Sequence, residues 1–136
     1  MANINKTPKK AERRDRLWEI GLKTLEEKGW VVERVPGSGK SSMRRILKDG
    51  VAKIATIRTT QDLWFAFPRT KGDKGWLTLD DADVVIVVSV DNKDAPKFAC
   101  VHMFDQAEIK GRFDRAYRAR KNANRSIPVG RGVWIS

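Results

Sequence analysis

The sequence predicts an α+β domain, a central mixed β-sheet of five to six strands flanked by one N-terminal and one C-terminal helix. Three observations predict it. Helical periodicity is confined to residues 8–28 and 106–123, and the strand-like runs cluster between these segments instead of alternating with them. The run Val84-Val85-Ile86-Val87-Val88-Ser89-Val90 is apolar without alternation, as expected of a strand covered on both faces.

The first helix is signalled by Thr7-Pro8, an N-cap followed by proline at the first helical position, where a missing N–H costs nothing. Ala11, Trp18, Leu22 and Leu25 then recur along one side, and Gly29 supplies the stop. Residues 30–35 are rich in β-branched side chains and read as a strand closing at Pro36-Gly37-Ser38-Gly39. Strands at 43–47 and 51–58 flank Lys48-Asp49-Gly50, since Asp-Gly between two such runs is a strong hairpin signal. After the turn Thr59-Thr60-Gln61-Asp62, residues 63–67 are expected as the third strand of an antiparallel meander.

Residues 68–76 form a polar loop, and Asp83 opens the apolar central strand. A turn at 91–96 leads to its partner at 97–104. Asp105 is placed to cap the second helix, with Glu108 in the first turn, where the helix dipole favours an acid. On that helix Ile109, Phe113, Ala116 and Tyr117 share a packing face, whereas Arg112, Arg115, Arg118 and Lys121 spread around the other. Arg120 projects toward the apolar side, where it needs an acid or a ligand. In the tail, Val133-Trp134-Ile135 reads as a last edge strand.

At 136 residues the chain is sized for one domain over 1–136, with 1–6 a frayed terminus and 124–136 a basic tail. An apolar fraction of 40%, with five Trp and five Phe, supplies core material. No stretch approaches the roughly 18 uncharged apolar residues of a membrane helix, and the basic N-terminus lacks the apolar segment of a secretion signal. The single Cys100, between Ala99 and Val101, reads as a buried thiol in a reducing compartment, which makes the cytoplasm the expected location.

Charge is the most informative feature. Lys and Arg number 28 against 17 acids, for a formal net charge of +11 and a pI near 10.2. Such a balance costs self-repulsion that a polyanion relieves, and it is the electrostatic footprint of nucleic-acid binding. The signs are also segregated. Residues 34–58 hold seven cations to one acid and residues 106–136 hold eight to two, whereas 77–105 hold two to six. This pattern predicts a phosphate-binding surface of Arg13, Arg14, Lys40, Arg44, Arg45, Arg58, Arg112, Arg115, Arg118 and Lys121.

Other motifs read as structural. Gly39-Lys40-Ser41 resembles the end of a P-loop, but the position five before Gly39 is Arg34 and a strand follows where a helix is required, so Lys40 is read as a loop cation. Cys100 and His102 alternate on one strand with no third ligand of their kind, and read as a core histidine beside a thiol. Asp80, Asp81, Asp83, Asp91 and Asp94 bracket the central strand and read as caps of strands and turns, not as an Mg2+ site. No nucleophile is marked, so no catalytic residue, metal ligand or cofactor is assigned.

The order of elements carries one resemblance. A helix ending in Gly29-Trp30, the strand Val31-Val32-Glu33-Arg34-Val35, the hairpin across Lys48-Asp49-Gly50 and the strand opened by Asp83 resemble the restriction-endonuclease-like superfamily, over about residues 12–121. The closest likeness is to its resolvase and homing-endonuclease branch, the PD-(D/E)XK nucleases. The resemblance implies a metal site, with an acid at the start of the hairpin and an acid-spacer-Lys triplet on its second strand. Here the triplet falls on Thr56-Ile57-Arg58 and the first acid near Met43 or Arg44, so the carboxylates are missing. The expectation is therefore a DNA- or RNA-binding protein with a nuclease-like fold that does not cut. Two other readings remain. One is an Mg-dependent endonuclease with ligands moved to Asp49 or Glu26. The other is a protein-binding adaptor or small oligomer, a homodimer included, anchored by exposed Trp64, Trp76 or Trp134. Neither a membrane nor a small-molecule substrate is indicated.

Overall fold

The structure, a computed structural model, describes residues 10–35, 43–67, 75–123 and 132–134, with backbone alone at 10–12, 121–123 and 132–134. The elements run α1 (Lys10–Glu27), β1 (Val31–Arg34), β2 (Met43–Lys48), β3 (Val51–Thr60), β4 (Trp64–Ala66), a short 3-10 turn (Leu79–Asp81), β5 (Val84–Val90), β6 (Ala99–Asp105), α2 (Gln106–Ala123) and β7 (Gly132–Trp134). The expected Thr7 cap, the loop around Lys40 and most of the polar loop at 68–76 lie outside the described residues.

Five strands form one sheet in the order β1-β2-β3-β5-β6. Neighbours are antiparallel except β3 and β5, which run parallel from Ala55↔Val84 to Thr60↔Ser89. The sheet is thus mixed and, with its two helices, gives the α+β class. Val85, Ile86, Val87 and Val88 are each 0% exposed, so β5 is covered on both faces, as its unbroken apolar run predicts. Alternation divides its side chains between two cores. Val84, Ile86 and Val88 meet Leu17, Trp18 and Leu25 of α1, together with Ile46, Ala55 and Ile57. Val85 and Val87 meet Ile109 and Phe113 of α2, together with Phe65, Phe67, Trp76 and Leu79. Each fully buried side chain contributes roughly 1.5–3 kcal/mol of transfer free energy.

The hairpin forms where the sequence places it, because Asp49 (φ 52°) and Gly50 (φ 79°) both take the left-handed backbone that a two-residue turn needs. The aspartates act as backbone clamps. Asp83 donates its N–H to the Ile54 carbonyl at 2.7 Å while its Oδ2 accepts the Ile54 N–H at 2.8 Å, fixing the start of β5 beside β3. Asp80 Oδ2 accepts the Trp76 N–H, and Asp91 Oδ1 accepts those of Lys97 and Phe98.

Three expectations need correction. Residues 64–66 do not extend the meander. β4 leaves the main sheet to pair with β7, because β5 occupies the free edge of β3, and Asp62 turns the chain away by accepting the Trp64 N–H and the Thr60 hydroxyl. Cys100 is exposed, since β6 is the last strand of the sheet. Trp76 is 1% exposed and so cannot anchor a partner. Its ring lies 5.0 Å from Phe113 and 5.8 Å from Tyr117, and its Nε1–H donates to Asp114 Oδ1 at 2.7 Å.

Two outcomes follow from this packing. A Cβ added at Gly21 would stand 2.6 Å from Val88 Cγ2, so Gly21→Ala forces α1 away from β5. It is expected to cost about 1–3 kcal/mol in denaturant unfolding. The N–H groups of Phe98 and Lys97 hold the Asp91 carboxyl below its ordinary 3.8. A depressed carboxylate pKa contributes stability above that value and loses it as pH falls through the folded one. Asp91→Ala should therefore unfold more readily than the unaltered chain at neutral pH, with the difference shrinking under acid conditions below 3.8.

Candidate nucleic-acid interface

The cations singled out from the sequence do not share one face of the sheet, because α1 and α2 pack on opposite faces. Several meet at one end of it instead. The parallel strands β3 and β5 finish together at Thr60 and Ser89, and β2 begins there, with Met43 opposite Thr56. β1 finishes there too, with Arg34 directly opposite Arg44. The N-terminal part of α1 reaches this end through Arg13 Nη1, 2.8 Å from Asp94 in the turn after β5. α2 starts at the far end, where the Gln106 N–H donates to the Asp83 carbonyl, and runs back until Arg120 lies over the Trp64 ring at 5.3 Å. Arg120, read as needing an acid or a ligand, thus has an indole face.

This end collects Arg13, Arg14, Arg34, Arg44, Arg58, Arg118 and Arg120. Acids stand among them, with Asp94 on Arg13 and Asp15 beside Arg14. The opposite end mixes Asp49, Asp80, Asp83, Asp105 and Glu108 with Lys48, Lys53, Lys110 and Arg112. Arginine is concentrated at one end of the strands, whereas acids occur at both.

Aromatic rings organise the cationic end. The guanidinium groups of Arg14 and Arg44 stand 4.7 and 5.9 Å from the Trp18 ring. Burial lowers the Arg44 pKa, the like charge of Arg34 lowers it further, and Asp15 partly opposes both. Arg58 lies 4.2 Å over the Phe67 ring and donates to the Ile57 carbonyl at 3.1 Å and to the Thr56 hydroxyl at 3.4 Å. Burial pushes its pKa down to about 10, with no charged group among the described residues contributing to the shift. Neither Arg34 nor Trp18 stands out in the sequence. Strand register brings Arg34 to Arg44, and Trp18 reads there simply as part of the apolar stripe.

The other expected contacts sit elsewhere. Arg45 points to the face away from α1 and lies 3.5 Å from Glu33, while Arg112 lies 3.0 Å from Glu108 near the opposite end. Arg115 is exposed along α2. Lys40 and the side chain of Lys121 lie outside the described residues.

The positions on which the nuclease resemblance laid its metal site are neighbours, but carry no metal-binding chemistry. Met43 is the direct cross-strand partner of Thr56, and Arg58 follows on the same face. A thioether, a hydroxyl and a guanidinium stand where two carboxylates and a lysine would be needed. Among the described residues no three His, Cys, Asp or Glu side chains converge on a possible metal site. Asp49 is at the hairpin tip, nine residues before Arg58 and roughly 30 Å away along an extended strand. Glu26 is exposed near the end of α1, on the other side of the sheet from Thr56. His102 is half-buried and stacks on Phe104 at 6.0 Å, beside the exposed Cys100. Comparison with known proteins yields no match to any family model, curated protein or solved structure.

Burial of the Arg58 guanidinium, with no countercharge among the described residues, opposes folding, so Arg58→Met should leave stability unchanged or raise it by about 1 kcal/mol in thermal unfolding. The same substitution should weaken binding of a polyanion, and the opposite signs separate a ligand-contacting role from a structural one.

Proposed function

We propose that this chain binds nucleic acid through its phosphate backbone at the cationic end of the sheet, and does not cut it. One observation carries the reading: Arg34 and Arg44 are direct cross-strand partners, with Arg14 beside Arg44 on the Trp18 ring. Like charges directly opposite each other destabilise an antiparallel pair, and a polyanion reverses the sign of that interaction. Guanidinium groups suit the task because their planar fork donates two parallel hydrogen bonds to a phosphate. The location is also suited to a ligand, since open α/β sheets take theirs outside the carboxyl ends of parallel strands, and β3 and β5 end here.

A restriction-endonuclease-like fold is part of the proposal. It is supported by the order helix, strand, hairpin and parallel strand opened by Asp83, and by Met43 facing Thr56 where the active site of that superfamily would lie. The residues at those positions favour binding without cleavage.

Salt titration tests the proposal. With several phosphate contacts, log K should fall linearly with log salt at a slope of about −0.9 per contact on a short duplex. The double substitution Arg34→Ala with Arg44→Ala should reduce that slope by about two contacts. Arg112→Ala, near the other end, should leave it unchanged. Plasmid incubated with Mg2+ should remain intact. An affinity insensitive to ionic strength would end the proposal.

A further inference from the structure

The sheet has one bare edge of unusual composition. β6 is last in the strand order, so its outer backbone groups have no strand partner among the described residues. Its register against β5 runs from Val90↔Ala99 to Val84↔Asp105 without a bulge. Residues 99–104, Ala-Cys-Val-His-Met-Phe, hold neither a formal charge nor a proline in a chain of net charge +11. Edge strands normally avoid pairing by means of lysines, prolines, bulges or brevity, and β6 uses none of these. Phe98 beside it is 75% exposed and Met103 is 40% exposed. The other edge, β1, has four residues and carries Glu33 and Arg34.

Hydrogen bonding shows which groups point outward. Phe98 and Gln106 direct backbone bonds to Asp91 and Asp83 at the two ends of β5. Alternation then leaves the N–H and C=O of Ala99, Val101 and Met103 directed away from β5.

We propose that β6 pairs antiparallel with β6 of a second copy of this chain, about a two-fold axis at Val101, joining two sheets into one. In this register Val101 faces Val101, Ala99 faces Met103 of the other copy, and Phe98 faces Phe104. Beyond the strand, Lys97 faces Asp105 of the other copy, twice by symmetry. Moving the axis to Cys100 sets Lys97 against Met103, and moving it to His102 sets Asp105 against Ala99, so the Val101 axis is the one that pairs both charges. Asp91 fixes the backbone of Lys97 and Phe98, so this end of the strand is already shaped for pairing. A two-fold contact of this kind must be self-complementary, and the surface from Lys97 to Asp105 is.

Light scattering on the full chain, stripped of nucleic acid and returned to low salt, tests the pairing. The expected mass is twice 15.5 kDa. Lys97→Glu sets acid against acid at both ends of the interface and should weaken the dimer roughly tenfold or more. Asp105→Lys should do the same, and combining the two should restore the dimer. Because Asp105 precedes α2, Met103→Lys on the exposed strand gives an independent reading, with a monomer expected. Circular dichroism confirms that each variant is folded. A monomeric unaltered chain at its highest soluble concentration overturns the proposal, as does a dimer that Lys97→Glu and Met103→Lys leave intact.

Discussion

The parallel pairing of β3 with β5 is the constraint on which the rest of the molecule depends. Parallel neighbours cannot be joined by a tight turn, so the chain must travel from the end of β3 at Thr60 back to the start of β5 at Val84. The connecting residues do more than return. Phe65, Phe67, Trp76 and Leu79 all lie on this connection, and they supply half of the core that covers the α2 side of the sheet. The double bond between Asp83 and Ile54 fixes where the return ends, and with it the register of β5. Gly21 fixes the other side, since its missing side chain lets α1 approach Val88 closely.

The same pairing explains the electrostatics. Because β3 and β5 run the same way, both end at one pole of the sheet, where β1 also ends and β2 begins. Arginines from β1, β2 and β3 gather there with the start of α1 and the end of α2. Asp83 and Asp80 occupy the other pole with Lys110 and Arg112, while Asp62, Asp91 and Asp94 stay among the arginines. At Arg44, burial and the like charge of Arg34 both oppose the charged form, and Asp15 opposes them. In Arg58 the opposing effect is desolvation, eased by the Phe67 ring and two hydrogen bonds. These groups hold positive charge where the fold alone gains little from it, which suits a surface whose energetics are completed by an anionic partner.

β6 belongs to the same logic. Its α1-side and α2-side residues are the outermost members of two cores whose centres lie on β5, so they are only partly covered. An uncharged run at that position is a cost in isolation. It becomes a gain when a second strand pairs with it, and the Lys97 and Asp105 that bracket the run then act as register marks.

The sequence by itself determined what depends on neighbours along the chain. The two helices, the Asp49-Gly50 hairpin and the double burial of β5 follow from periodicity, turn stereochemistry and an unbroken apolar run, all local signals. The backbone bonds of Asp80, Asp83 and Asp91 were legible for the same reason. Tertiary structure decided what depends on pairing between distant segments. β4 reads as a strand from Trp64-Phe65-Ala66, but the choice of β7 as its partner follows from β5 taking the edge of β3 first. Cys100 sits in an apolar run and is nonetheless exposed, because strand order places β6 outermost. Arg34 becomes part of the cationic end through a cross-strand register that spacing does not reveal. A sequence lists charges in order along a line. Whether they meet depends on which strand ends share a pole, and long-range backbone pairing alone sets that.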